Sequence, residues 1–311
     1  MAGSRSLSEV SLSEYVPSHP DAYPLDLVGC QKMIAQYREE LHATRYFLHG
    51  SRGYSGADVI RMVRSLNDEI MQLSAMLASI VARYPLSSVQ QVSDPEDAIQ
   101  FPFLNDKWVG LLLGRDSDTQ EIVIQCAIQA AMVFHVVLGI KAMALNEEEN
   151  DILYRIYRRQ DPSPIARQWR AITKMHAKYP VIDQVQAIIN KRILHALHGI
   201  VQASGIVSDA CMADIVVNGQ GIVVVIEKAM EIDRILTLEM TMEDVTVFVA
   251  PLGEVLDLER MECAFRQEVL SKESFVIGST DMGICCLPNA NEASSWQIIL
   301  KPKVVLDTTF T

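Results

Sequence analysis

Aromatic residues make up only 6% of this 311-residue chain, and positive charge is in deficit: 27 lysines and arginines face 39 aspartates and glutamates. The net charge of −12 excludes a global basic field that would draw the protein to nucleic acid, leaving only local basic patches. No run reaches the ~18 uncharged apolar residues that a membrane-spanning helix needs. The nearest, residues 122–140, lies between Glu121 and Lys141 and contains Gln125, Gln129 and His135, so it reads as a buried core helix. The six cysteines (Cys30, Cys126, Cys211, Cys263, Cys285 and Cys286) form no CxxC pair and no zinc spacing, and are expected as thiols. The opening residues MAGSRSLSE carry no apolar signal core, so the expected location is the cytoplasm, or the nucleus. There is no Gly-x-Ser-x-Gly elbow. The glycine-rich loop 49–56 lacks the Gly-Lys-Ser/Thr ending of a phosphate-binding loop and reads as a turn. Catalytic residues are therefore unassigned, and no cofactor or metal is expected.

What is present is helical periodicity. Hydrophobic residues are 49% of the chain, ample for one large core. Residues 1–24 are rich in Ser, Pro and Tyr and read as a flexible tail. Heptad spacing of Leu27, Ile34, Leu41 and Leu48 predicts a helix over 25–48. A second apolar stripe from Val59 to Ile80 predicts one over 57–84, stopped by Pro85. An acidic connection over 87–103 follows. Further helices are predicted over 107–113, 120–145, 147–159, 165–178 and 181–201. Residues 213–240 also look helical but are interrupted by Asn218-Gly-Gln-Gly221, which predicts a shorter helix from about Gly221.

The pattern then changes. Residues 245–249 (VTVFV), 283–287 (GICCL) and 298–306 (IILKPKVVL) are short apolar runs of strand type, separated by turn residues. The expected fold class is mainly α: a bundle of roughly seven to nine helices with a small C-terminal β-module. A helical bundle over 25–200 and a helix plus β-module over 201–311 form the expected division, with one continuous core as the alternative.

Few constellations carry chemistry. The basic run from Arg155 to Lys178 is interleaved with Tyr154, Tyr157 and Trp169, a pattern that can hold phosphate or a single strand. The plainer reading is that the run balances the acidic residues around Glu147 and its long side chains cover helix surfaces. His195 and His198 share a helix face, but no third metal ligand accompanies them. Asp68 and Glu69 are expected to pair with Arg64 or Arg61, and Asp281 to cap a turn.

Two resemblances follow from short motifs. Residues 65–70 (SLNDEI), 125–130 (QCAIQA), 169–173 (WRAIT) and 300–306 (LKPKVVL) together resemble a set of mostly helical proteins from mushroom-forming fungi. That likeness spans about 25–306 and carries no catalytic residue across. From about Val223 the order is a helix, residues 245–249, Gly253-Glu-Val-Leu-Asp257, Arg260-Met-Glu262, Gly283 and Leu300-Lys-Pro-Lys-Val-Val305. This order is similar to the C-terminal part of GrpE, the nucleotide-exchange cochaperone of a heat-shock chaperone. Leu258 stands where that family has proline, and Lys301-Pro302-Lys303 where it has Arg-Pro-Ala. The resemblance implies a β-module that docks on a chaperone through Gly253, Glu254, Asp257, Met261, Lys301 and Lys303.

The mean hydropathy of +0.14 is high for a soluble chain and implies surface buried against a protein partner or a second copy. The expected function is non-enzymatic interaction or scaffolding. A cochaperone, and an enzyme with a site assembled from distant residues, are the alternatives.

Overall fold

In the computed structural model, residues 51–311 form one compact unit. The structure describes residues 54–85, 106–114, 117–159, 164–206, 208–240, 244–265, 274–287 and 297–310. The tail over 1–24, the helix over 25–48 and the acidic connection over 87–103 lie outside the described residues. Within them the chain is mainly α-helical with small C-terminal sheets.

Helix α1 is Gly56–Val81. Ser55 and Asp58 close a capping box at its start: the Ser55 Oγ accepts from the Asp58 N–H at 3.2 Å, and the Asp58 carboxylate accepts from the Ser55 N–H at 2.9 Å. Its stripe of Val59, Val63, Leu66, Ile70, Leu73 and Leu77 is buried. The helix ends short of the expected position 84, in turns closed on Ile80 and Val81, because Pro85 disfavours helical backbone just before it. Helix α2 (Asp106–Leu112) buries Trp108 and Leu112. Helix α3 (Ser117–Lys141) is buried on nearly every side and packs against its neighbours throughout, as a helix apolar all round must. Thr119–Lys141 is, among the described residues, the one helix long and apolar enough to cross a membrane, and 78% of its most apolar window is buried in this fold.

Helices α4 (Glu147–Arg159), α5 (Pro164–Ala177), α6 (Ile182–Ala203), α7 (Asp209–Asn218) and α8 (Gly221–Arg234) follow, and α8 runs on as a π-helical turn, Ile235–Glu239. Helix α7 corrects the sequence reading, which began a helix at 213 and a firmer one only at 221. Ser208 caps α7, its hydroxyl accepting from the Cys211 N–H at 3.3 Å. The break after Asn218 is real and bends the two helices by 51°. It needs glycine: a Cβ at Gly219 would lie 2.5 Å from the Ile215 carbonyl oxygen. Glu69 reaches Lys228 of α8 rather than Arg64 or Arg61, and Arg61 instead pairs with Asp58, so the first of these ion pairs joins helices rather than turns of one helix.

Two three-stranded sheets complete the fold. One has the order β1 (Asp244–Phe248), β4 (Gly283–Leu287), β5 (Gln297–Leu300), all antiparallel. The other has β2 (Glu262–Cys263), β6 (Lys303–Leu306), β3 (Val276–Ser279), with β2 parallel to β6. The run 298–306, which the sequence presents as one strand, is broken at Lys301-Pro302 into β5 and β6, which serve different sheets. Pro302 has no N–H for a ladder, and β4 approaches the chain so closely there that a Cβ at Gly283 would lie 2.6 Å from the Leu300 carbonyl oxygen. After Asp257 the chain makes a single turn, in which the Arg260 and Met261 N–H groups both donate to the Asp257 carbonyl.

Three buried side chains bond the segment 277–282 to the helices. Asn67 of α1 donates to the Met282 carbonyl at 3.0 Å and accepts from the Met282 N–H at 3.1 Å. Trp108 of α2 donates through Nε1 to the Ile277 carbonyl at 2.7 Å. Gln129 of α3 donates to the Thr280 carbonyl at 3.0 Å. The main apolar cluster runs without a break from Val59 in α1 to Val305 in β6.

Candidate functional site

The basic run holds the protein's buried charges. Arg167, Arg170, Lys174 and Lys178 recur at helical spacing along α5 and just past its end, and all four are buried. The anchor for the lysines is Asp233 of α8, fully buried, with Lys174 Nζ 2.6 Å from Oδ1 and Lys178 Nζ 2.7 Å from Oδ2. Each ammonium also donates to the end of α3: Lys174 to the Ile140 carbonyl and Lys178 to the Gly139 carbonyl, both at 2.7 Å. The last carbonyls of a helix have no partner inside it, and the helix dipole makes that end negative. Helix α3 ends inside the protein, so two lysines cap it and one aspartate balances them. The Thr237 hydroxyl donates to Asp233 at 3.3 Å, and the Tyr179 hydroxyl does so at 3.4 Å.

Burial pulls Lys174 down to about 7 against the opposing attraction of Asp233. Burial pushes Asp233 up, but the two ammoniums outweigh it and hold its carboxyl below the usual value. A lysine shifted this far is a functional-site candidate in general. Here both ammoniums are fully engaged and face the protein interior, so the cluster reads as architecture.

Beside it lies a cavity of about 240 Å³ between the end of α3, the start of α4 and α6. Gly139 belongs to its wall, so the Lys178 bond fixes part of that wall. Its lining is mostly apolar, with Glu147, Asn150, Asp151 and Arg192 as the polar groups, and Glu147 and Arg192 pair with each other. Asn150 is held in place by accepting from the Met143 N–H at 2.7 Å. His135 is pulled down to about 4 by burial and by the neighbouring Arg192 and His195, so it is neutral at physiological pH.

The six residues implied by the GrpE resemblance lie in the loop between β1 and β2 and at, or just before, the start of β6. Gly253 is exposed, with φ +76°, in a turn. Glu254 pairs with Arg260 at 2.8 Å. The Asp257 carboxylate accepts from the Glu259 N–H at 2.9 Å. Met261 is buried in the smaller apolar cluster with Ala250, Val276, Val304 and Leu306. Lys301 donates to the Leu258 carbonyl at 2.7 Å, and Lys303 pairs with Asp281 at 2.8 Å. Loop and strand end therefore adjoin.

His195 and His198 are exposed on α6, and no cluster of three metal-ligating side chains occurs among the described residues. Cys126, Cys211 and Cys285 are buried thiols, with burial pushing Cys126 up to about 12, while Cys263 and Cys286 are half-buried. Large apolar side chains stand exposed around the α7–α8 bend: Val216 and Val217 at 54% and 69% on one side, Val223 and Val224 at 46% and 45% on the other. The sequence signal for this face was available in two adjacent valine pairs flanking Asn218-Gly-Gln-Gly221. No protein family, curated protein or solved structure matches this chain.

Proposed function

We propose that the protein is a non-enzymatic interaction protein whose partner docks on the α7–α8 bend. The observation that carries this is the exposure of Val216, Val217, Val223 and Val224 on a rigid mount. Valine is a poor residue for an exposed helix position, since its branched side chain loses rotamer freedom there and gains no burial. Four of them in nine positions make a local apolar patch of the type that marks interaction sites. The mount is fixed on both sides. The Tyr84 hydroxyl donates to Asp214 of α7 at 2.6 Å, and the Leu73 side chain of α1 packs 3.1 Å from where a Cβ at Gly221 would be.

Lysine at both Val217 and Val224 tests the reading. Both side chains face solvent, so the double variant is expected to fold and melt like the parent. It should lose a stoichiometric partner that the parent retains on affinity purification from its native source. Equal recovery by the two proteins would sink the reading.

A second reading, the cochaperone, is supported by the adjacency of residues 253–261 to Lys301 and Lys303. It puts the contact surface on the β-module instead, and the position of the contact separates the two.

A further inference from the structure

The cavity between the end of α3, the start of α4 and α6 shares no residue with the valine face, and its walls sort by chemistry. Leu138, Ala142 and Leu145 on one side and Val185, Ile188 and Ile189 on the other are aliphatic. The polar groups come from α4 (Glu147, Asn150 and Asp151) and from Arg192 of α6. The walls are fixed in the empty protein. Lys178 donates to the Gly139 carbonyl, Asn150 accepts from the Met143 N–H, and Arg192 pairs with Glu147. Gly139 lets α6 come close, since a Cβ there would lie 2.4 Å from Ile189 Cδ1. Beyond it the small side chains of Ala142 and Ala144 leave the space open. A preformed apolar hollow with a few convergent polar groups is the general form of a small-ligand site.

We infer that this cavity binds a small aliphatic amine in its ammonium form. The body follows from the walls and the volume. An apolar cavity of ~150 Å³ admits benzene, so one of about 240 Å³ suits a body of roughly six to nine carbons. The head follows from the charges. Glu147 is already matched by Arg192, whereas the Asp151 carboxylate has no ion-pair or hydrogen-bond partner among the described residues. The nearby Arg155 Nε–H goes to the Asp151 backbone carbonyl at 3.2 Å, not to the carboxylate. Glu148 and Glu149, beside Glu147 in the first turn of α4, add further negative charge. The start of a helix favours anions, but only with roughly half a unit of positive charge, which these carboxylates outweigh. The polar end of the cavity therefore attracts a cation and repels a carboxylate.

The test is a titration of the full chain at neutral pH and low salt, followed through the ligand's own NMR signals. Its probes share a body and differ in the head: cyclohexylmethylamine, cyclohexylmethanol and cyclohexanecarboxylate. The amine carries a proton near pH 7, as a lysine side chain does. It is expected to bind about tenfold tighter than the alcohol, the usual gain from a charged hydrogen bond, and the carboxylate is expected not to bind. Asp151→Asn, an exposed position where the fold should be kept, is expected to bring the amine down to the level of the alcohol. Ala142→Leu fills the cavity and should abolish binding of both. If that variant does not fold, Asp151→Asn decides alone. The proposal is overturned if none of the probes binds, or if the alcohol or the carboxylate binds as tightly as the amine. An Asp151→Asn protein that keeps the preference for the amine, or a folded Ala142→Leu protein that still binds it, also overturns it.

Discussion

Replacing Asp233 with alanine is expected to destabilise the protein by about 3–5 kcal/mol at neutral pH, because it strands two buried ammoniums without their anion. Lys174 and Lys178 would still donate to the Ile140 and Gly139 carbonyls, but with nothing to balance their charge. The pH dependence gives the effect a signature. Lys174 titrates at about 7 in the folded protein, below the ordinary 10.5. Between those values the unfolded chain holds a proton that the native state has released, so this group adds stability as pH rises through that window. Removing Asp233 removes the attraction that holds the proton on. The deficit of Asp233→Ala, measured by urea unfolding, should therefore narrow as pH rises from 7 towards about 9. On the acid side the sign reverses. The Asp233 pKa lies below 3.8 when folded, so its contribution is present above that value and is lost as pH falls through the folded one. A full apolar replacement, Lys174→Met with Lys178→Met and Asp233→Leu, separates a helix cap from a mere ion pair. It removes the charges but leaves two buried carbonyls without donors, at about 1–3 kcal/mol each, so it should not recover parental stability.

Trp108→Ala is expected to lower stability by about 3–5 kcal/mol, the usual loss for truncating a large buried aromatic side chain. Trp108 is fully buried between α2 and the sheets, and its ring lies about where a Cβ at Gly278 would be, 3.1 Å away. Trp108→Phe keeps most of the volume but leaves the Ile277 carbonyl without its donor, so about 1–3 kcal/mol of the effect should persist. Because Asn67, Trp108 and Gln129 tie residues 277–282 to three different helices, the loss should appear in one transition. Far-ultraviolet circular dichroism, which reports the helices, and hydrogen exchange of the β1, β4 and β6 amides should give one shared midpoint within each protein, lower in Trp108→Ala than in the parent. Separate midpoints for helices and strands would show that the β-module unfolds by itself.

These two sites also mark where sequence reasoning reached and where it stopped. Apolar spacing was enough to place α1, α3 and α6, because burial of a stripe needs only local period. Pro85 and Gly219 placed breaks for the same reason: backbone chemistry at those residues is local. The burial of Lys174 and Lys178 was not legible, since a lysine on a helix looks the same whether it meets water or Asp233, 59 and 55 residues away in sequence. The clamp of Asn67 on Met282 spans 215 residues and leaves no mark at either end. Strand β3 went unseen because all four of its residues are buried, which erases the alternation that marks a strand. The valine face was not legible for a related reason: apolar residues in a helix are usually buried, and only the packed structure shows that Val216, Val217, Val223 and Val224 are exposed.

The measurement that bears most directly on the interaction reading is hydrogen exchange of the protein alone and in complex with the partner recovered from its native source. The account predicts slowed exchange concentrated in Asp209–Asn218 and Gly221–Arg234, with little change in the sheets. Protection centred instead on residues 253–263 and 301–306, or no complex to measure at all, would contradict it.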